Sequence, residues 1–219
     1  MKIRLLLLFV ILHQVTFAQS ADKGKTFIDL SVGMGGYHGM SNLNDNQNKD
    51  VNAGANAFQL NAGYVVKNGF SLGLEFRALR YLTDDDSASI VKEAAANCIA
   101  ITSDYHFVNK QKFNAYAGFG LGGTRFNYLR SELDTTTLQY NKGRVYAQGA
   151  LVDIHTGLRW CFTKHVGLFF RANYSFFPLN VTRFTVNGND KEDMSYRKTT
   201  DVILNFRGLE LKVGLSVYF

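Results

Sequence analysis

Hydrophobic and polar residues alternate along most of this chain. In residues 209 to 219, Leu209, Leu211, Val213, Leu215, Val217 and Phe219 interleave with Glu210, Lys212, Gly214, Ser216 and Tyr218. Side chains on a β-strand point to opposite faces with period two, so the segment predicts a strand with one apolar and one polar, glycine-containing face. The pattern recurs upstream. Ile28, Leu30, Val32 and Met34 alternate with Asp29, Ser31, Gly33 and Gly35; Phe58, Leu60, Ala62, Tyr64 and Val66 oppose Gln59, Asn61 and Gly63. Phe70, Leu72, Leu74 and Phe76 oppose Ser71, Gly73, Glu75 and Arg77; Ile99, Ile101, Tyr105 and Phe107 oppose Ala100, Thr102, Asp104 and His106. A fifth strand sets Phe113, Phe119 and Leu121 against Tyr116, Gly118 and Gly120, and a sixth sets Val152, Ile154, Leu158 and Trp160 against Asp153, His155, Gly157 and Arg159. The seventh opposes Val166, Leu168, Phe170, Tyr174 and Phe176 to Gly167, Arg171, Asn173 and Ser175, and the closing segment makes eight.

The connections alternate too. Those around Asn68, Lys110 and Lys164 are tight, whereas segments 39–57, 83–93, 130–144 and 179–204 read as long polar loops. Tight hairpins at one end and long loops at the other predict an all-β fold, an eight-stranded antiparallel up-and-down barrel. Phase slips after Leu79 and at Gly122-Gly123 predict β-bulges near the loop end. No second domain is needed.

Volume decides which face is inside. An eight-stranded barrel is only wide enough for side chains to fill, and the apolar faces hold too many Leu, Phe, Val, Ile and Tyr to fit there. The opposite faces are rich in Gly, Ser and Asn, which do fit. The charged residues on those faces are nearly balanced in sign: Asp29, Glu75, Asp104, Asp153 and Glu210 against Arg77, Arg159, Arg171 and Lys212. A closed interior demands such pairing, because lone buried charges are costly. An Arg or Lys facing lipid at mid-bilayer would cost roughly 2–4 kcal/mol. The expected arrangement is therefore a transmembrane barrel, apolar side outward, with an aromatic girdle at the turn end from Tyr64, Phe70, Tyr105, Phe107, Phe113, Trp160, Phe162 and Phe219.

Composition agrees: among 219 residues there are 20 Gly, 18 Phe and 11 Tyr but one Pro, which suits strands. Residues 1–18 read as a secretory signal, with Lys2 and Arg4 ahead of an apolar run and small residues before a cut after Ala18. Residues 19–219 are then the barrel domain. Without Lys2 and Arg4 the formal charge of +6 falls by two, and no basic face indicates nucleic acid. Cys98 and Cys161 fall near opposite ends of non-adjacent strands, beyond the roughly 7 Å reach of a disulfide, and are expected to be free thiols.

These features together resemble the small outer-membrane β-barrel proteins of diderm bacteria, the OmpX-like and OmpA-barrel-like proteins. The resemblance spans the whole mature chain. It implies that Phe219 belongs to the signal read by the barrel-assembly machinery, and that outer-membrane lipid surrounds the protein. The Ala18-Gln19 junction is also similar to cleavage sites common in Bacteroidota, whose small barrels include a PorT-like family.

Little in the sequence points to chemistry. Asp104/His106 and Asp153/His155 could each orient a general base, but residues two apart on a strand are nearly 7 Å apart and neither pair has a clear nucleophile. They are read, with Asp29, Glu75, Arg77, Arg159, Arg171, Glu210 and Lys212, as a polar network filling the barrel. Asp84 to Asp86 are read as a solvated loop rather than a metal site, Asn180 heads a glycosylation sequon of little meaning in a bacterial barrel, and the Gly118-x-Gly120-x-Gly122 run as space-saving inward positions. No metal or cofactor is expected, and no appended periplasmic domain. The functional expectation is a non-enzymatic outer-membrane protein whose loops meet a protein partner, the longest carrying Arg183, Asp190, Glu192, Asp193, Arg197 and Lys198. The alternatives are a narrow channel for small or apolar solutes and, behind it, a lipid-modifying enzyme.

Overall fold

The computed structural model describes residues 23–41, 49–67, 69–82, 89–110, 112–134, 139–190 and 203–219. Eight long strands form the wall: β1 (Thr26–Ser41), β2 (Lys49–Lys67), β3 (Phe70–Leu82), β4 (Ser89–Asn109), β5 (Phe113–Asp134), β6 (Gln139–Cys161), β7 (Val166–Val186) and β9 (Ile203–Tyr218). The two-residue β8 (Asn189–Asp190) extends the end of β7 across a turn at Asn187-Gly188, both of which have positive φ. Such residues suit a tight hairpin turn, where the left-handed conformation matches the strand twist.

Each long strand pairs antiparallel with its neighbours in sequence, and β1 pairs with β9 to close the sheet. Closure leaves no long edge unpaired, as hydrocarbon surroundings require. Paired residues run from Ile28 through Ala62, Leu74, Ile101, Leu121, Val152, Phe176 and Arg207 to His38, ten residues further along β1. With a rise of about 3.3 Å per residue and strands about 4.7 Å apart, that stagger tilts the strands about 40° from the axis and puts the backbone about 8 Å from it.

The alternation sorts side chains as expected. Leu209, Leu211, Val213, Leu215 and Phe219 face outward, 45–66% exposed, while Glu210, Lys212 and Ser216 between them are buried. From Phe219 to Leu209 the tilted strand climbs about 25 Å, the height of a membrane barrel's apolar band. Tyr64, Tyr105, Phe107, Phe113, Trp160 and Phe219 stand at the turn end of that band, 41–66% exposed. Cys98 and Cys161 are free and buried.

Two expectations fail. Neither Leu79 nor Gly122-Gly123 lies at a bulge: Leu79 pairs in register with Ala57 and Ala96, and Gly122 and Gly123 with Ala100 and Ile99. Leu79 is wholly buried inside the barrel with Arg80 exposed outside, so the alternation does not slip there. What changes is the chemistry of the interior, which becomes apolar toward the loop end. Register shifts occur instead at Val65/Lys67, Val91/Glu93, His106/Val108 and Tyr146/Ala147.

The long loops are also shorter than expected, because strands continue through much of them. β4 to β7 run 21–23 residues, against 13 in β3 and 16 in β1 and β9, so one side of the wall stands well above the apolar band. Continued backbone pairing satisfies polar groups that a loop would leave to water. Residues 1–18, Asp84 to Asp86, and Glu192, Asp193, Arg197 and Lys198 lie outside the described residues.

Candidate functional site

The barrel interior is where the polar chemistry collects. Asp29, Glu75, Arg77, Asp104, His106, Asp153, His155, Arg159, Arg171, Glu210 and Lys212 all point inward and are at most 4% exposed. They stack in tiers along the axis.

At the turn end, Arg159 reaches Asp29 at 2.6 Å. Its guanidinium is surrounded by the rings of Tyr116, Phe27, Tyr218 and Phe169 at 5.1–5.8 Å. Aromatic faces stabilise a desolvated cation by their quadrupole, so the charge is held without a second carboxylate. Ser216 Oγ donates to the other oxygen of Asp29.

The middle tier is built around Arg77. Its Nε and Nη2 donate to Glu75 Oε1 at 2.9 and 2.5 Å, Nη1 to Glu210 Oε1 at 2.7 Å and to Ser175 Oγ at 2.7 Å, and Nη2 also to Asp153 Oδ2 at 3.0 Å. One planar fork thus ties carboxylates from β3, β6 and β9, which a lysine's single point charge could not do. Arg171 and Gln59 donate to Glu75 Oε2, each at 2.9 Å; Lys212 Nζ donates to Gln59 Oε1 and forms an ion pair with Glu210 Oε2, each at 2.7 Å. Asn173 donates to Asp153.

The two Asp-x-His pairs do not behave alike. His155 bridges two carboxylates, with Nδ1 at 3.2 Å from Asp153 and Nε2 at 2.6 Å from Asp104. His106 turns from Asp104 to Ser71 Oγ at 3.0 Å and Asn114 Oδ1 at 2.7 Å. Glycines make room: a Cβ at Gly118 would collide with Asp104 and His155, and one at Gly120 with Asp153. The inward glycine run is thus space left for the network.

The Ser71–His106–Asn114 chain was not legible in the sequence. Its order, a hydroxyl on an imidazole held by an amide, is that of a nucleophile, base and orienting group. Ser71 is wholly buried, however, so no substrate reaches the hydroxyl in this conformation. Spacing could not reveal the chain, because its members sit on β3, β4 and β5.

Above these tiers lies an interior the sequence reading missed. Tyr37, Leu79, Phe126, Val145, Leu151, Phe177, Leu179, Val181, Leu204 and Phe206 form one buried cluster across the barrel toward the loop end. Tyr81, itself partly buried, packs against it, with ring centroids 5.3–6.2 Å from Tyr37, Phe126 and Phe206. Such contacts are worth about 0.5–1.5 kcal/mol each beyond burial.

A closed, tilted eight-stranded barrel with a lipid-compatible belt and a packed polar core has the fold of the small outer-membrane β-barrels. The structural comparison agrees: a crystal structure of Neisserial surface protein A (NspA) matches with TM-score 0.52 at 16% identity, covering 90% of this chain and 100% of that one. Ail, the attachment invasion locus protein of Yersinia pestis, aligns over 90% of this chain and 99% of its own at 12% identity and TM-score 0.47. The outer membrane protease OmpT from Escherichia coli aligns over 89% of this chain and 97% of its own at 10% identity and TM-score 0.42. No curated protein matches the sequence. The chain belongs to the family described as a domain of unknown function (DUF2715), whose model matches residues 18–219.

Proposed function

We propose that this protein is a sealed, non-enzymatic outer-membrane barrel that works through its loop end, where the raised wall and loops meet a partner outside the cell. The observation that carries the reading is the filling of the cylinder by two consecutive plugs, the ionic network around Arg77 and the apolar cluster around Tyr81. An ion entering from either side would have to displace buried side chains that already pair with or pack against one another. The charged groups are shut away from substrates, which favours a structural over a catalytic role for His106 and His155. The surface left for recognition is the tall β5–β7 wall, whose outward groups include Asn127, Arg144, Tyr146 and Arg183.

Export by the residue 1–18 leader and insertion by the barrel-assembly machinery through Phe219 complete the reading, and kinship with the PorT-like barrels is its narrowest form. Planar-bilayer recording with refolded protein tests the seal: flat traces are expected, and steady single-channel steps would give the narrow-channel reading precedence. In-cell crosslinking followed by gentle solubilisation tests the partner. A specific companion is expected, and its absence would leave the barrel a purely structural element of the membrane.

A further inference from the structure

The outer wall carries one feature that neither plug explains. Arg80, Arg125 and Arg207 face outward from β3, β5 and β9, and the stagger of the strands brings all three to about the same height, just above the apolar band. Arg80 has a carboxylate neighbour, Glu93, at 3.7 Å. Among the described residues, Arg207 has no ion-pair partner. Beside it the wall is indented, because β1 and β2 present Gly36 and Gly54 outward as a cross-strand pair. A Cβ added at Gly36 would meet nothing within 4 Å.

The indentation has a volume of about 670 Å³ and is lined by Gly36, His38, Asn52, Gly54, Tyr174 and Arg207. His38 Nδ1 and Asn52 Oδ1 are 2.9 Å apart, so the amide nitrogen of Asn52 stands as a second donor on the polar rim. On the opposite rim Tyr174 and Leu209 are about half exposed and continue into the lipid-facing belt. The notch is therefore cationic and hydrogen-bonding above, apolar below, at the height where headgroups meet acyl chains.

We infer that this notch binds the phosphate headgroup of a membrane lipid of the loop-side leaflet, with Arg207 taking the phosphate and an acyl chain lying against Tyr174 and Leu209. A guanidinium matches phosphate oxygens with two parallel N–H donors, and the missing side chains at Gly36 and Gly54 let the headgroup approach the sheet. The inference rests on the barrel's place in a membrane and not on its sealed interior, so bilayer conductance does not bear on it.

The test is native mass spectrometry of the mature protein released from nanodiscs of phosphatidylcholine doped with phosphatidic acid. Wild type is expected to retain phosphatidic acid in preference to phosphatidylcholine. Arg207→Gln and Gly36→Leu are each expected to lower that retention about tenfold, and Arg125→Gln, equally high on another part of the wall, to leave it unchanged. Heat-dependent gel mobility verifies that each variant is folded, and Gly36→Ala, expected to weaken retention less than Leu, serves if the larger residue is not tolerated. Equal losses in the Arg125 and Arg207 variants would show diffuse attraction and overturn the proposal. So would retention that ignores filling of the notch at residue 36, or displacement of the lipid by millimolar inorganic phosphate alone, which would make this a free-phosphate site.

Discussion

The turn-end and loop-end halves of the barrel interior do the same job by opposite means. Around Arg77, space is filled by charged groups that pair with one another in a network with defined partners and angles. Around Tyr81, it is filled by Leu, Val, Phe and Tyr packed without a fixed pattern of polar contacts. The contrast teaches that an inward face in a membrane barrel need only be complementary to the other inward faces at its height. A charged tier works if all its members are charged or polar, and an apolar tier works if all are apolar.

The two halves should fail differently. The largest effect is expected from Arg77→Met, which leaves Glu75, Asp153 and Glu210 short of their shared cation. Breaking a buried ion-pair network by removing one partner costs about 3–5 kcal/mol, and urea unfolding in phospholipid vesicles should show a loss of that order. The loss should be nearly independent of added salt, since buried pairs are little screened. Phe177→Ala in the apolar half should cost about 3 kcal/mol, the usual result of emptying a buried aromatic site, with the remaining side chains free to close in. If the Phe177 variant proves the more damaging, the apolar plug rather than the ionic one is the stabilising half. Glu93→Gln, which removes only the half-exposed partner of Arg80 outside the barrel, should change stability by less than about 0.5 kcal/mol in the same titration. A larger change would mean that the outer wall near the loop end contributes to folding as the interior does.

Much of this architecture was legible because alternation is a local property. Leu209 to Phe219 declare their faces without reference to any other strand, and the volume argument then assigns lipid to the apolar side. The ionic half was legible for the same reason, since a charge on an inward face stands out against glycine and serine. The apolar half was not. Leu79 and Phe177 look like errors of phase when apolar means outward, so the pattern suggests a bulge after Leu79 and gives no sign of Phe177's inward place. The elongated β4–β7 strands were missed because their upper portions, clear of lipid, need no apolar outer face and so lose the signal.

The sequence by itself determined the number of strands, the side each presents to lipid, the inward position of the charged residues and the separation of the two thiols. Only the closed sheet decided that Arg77 meets Glu210, 133 positions away, that His106 leaves Asp104 for Ser71 and Asn114, and that Arg207 stands beside a glycine notch. The reason is geometric. Period-two alternation is set by each strand's own backbone, whereas the ten-residue stagger that fixes which side chains share a height belongs to the whole ring and appears in no single segment.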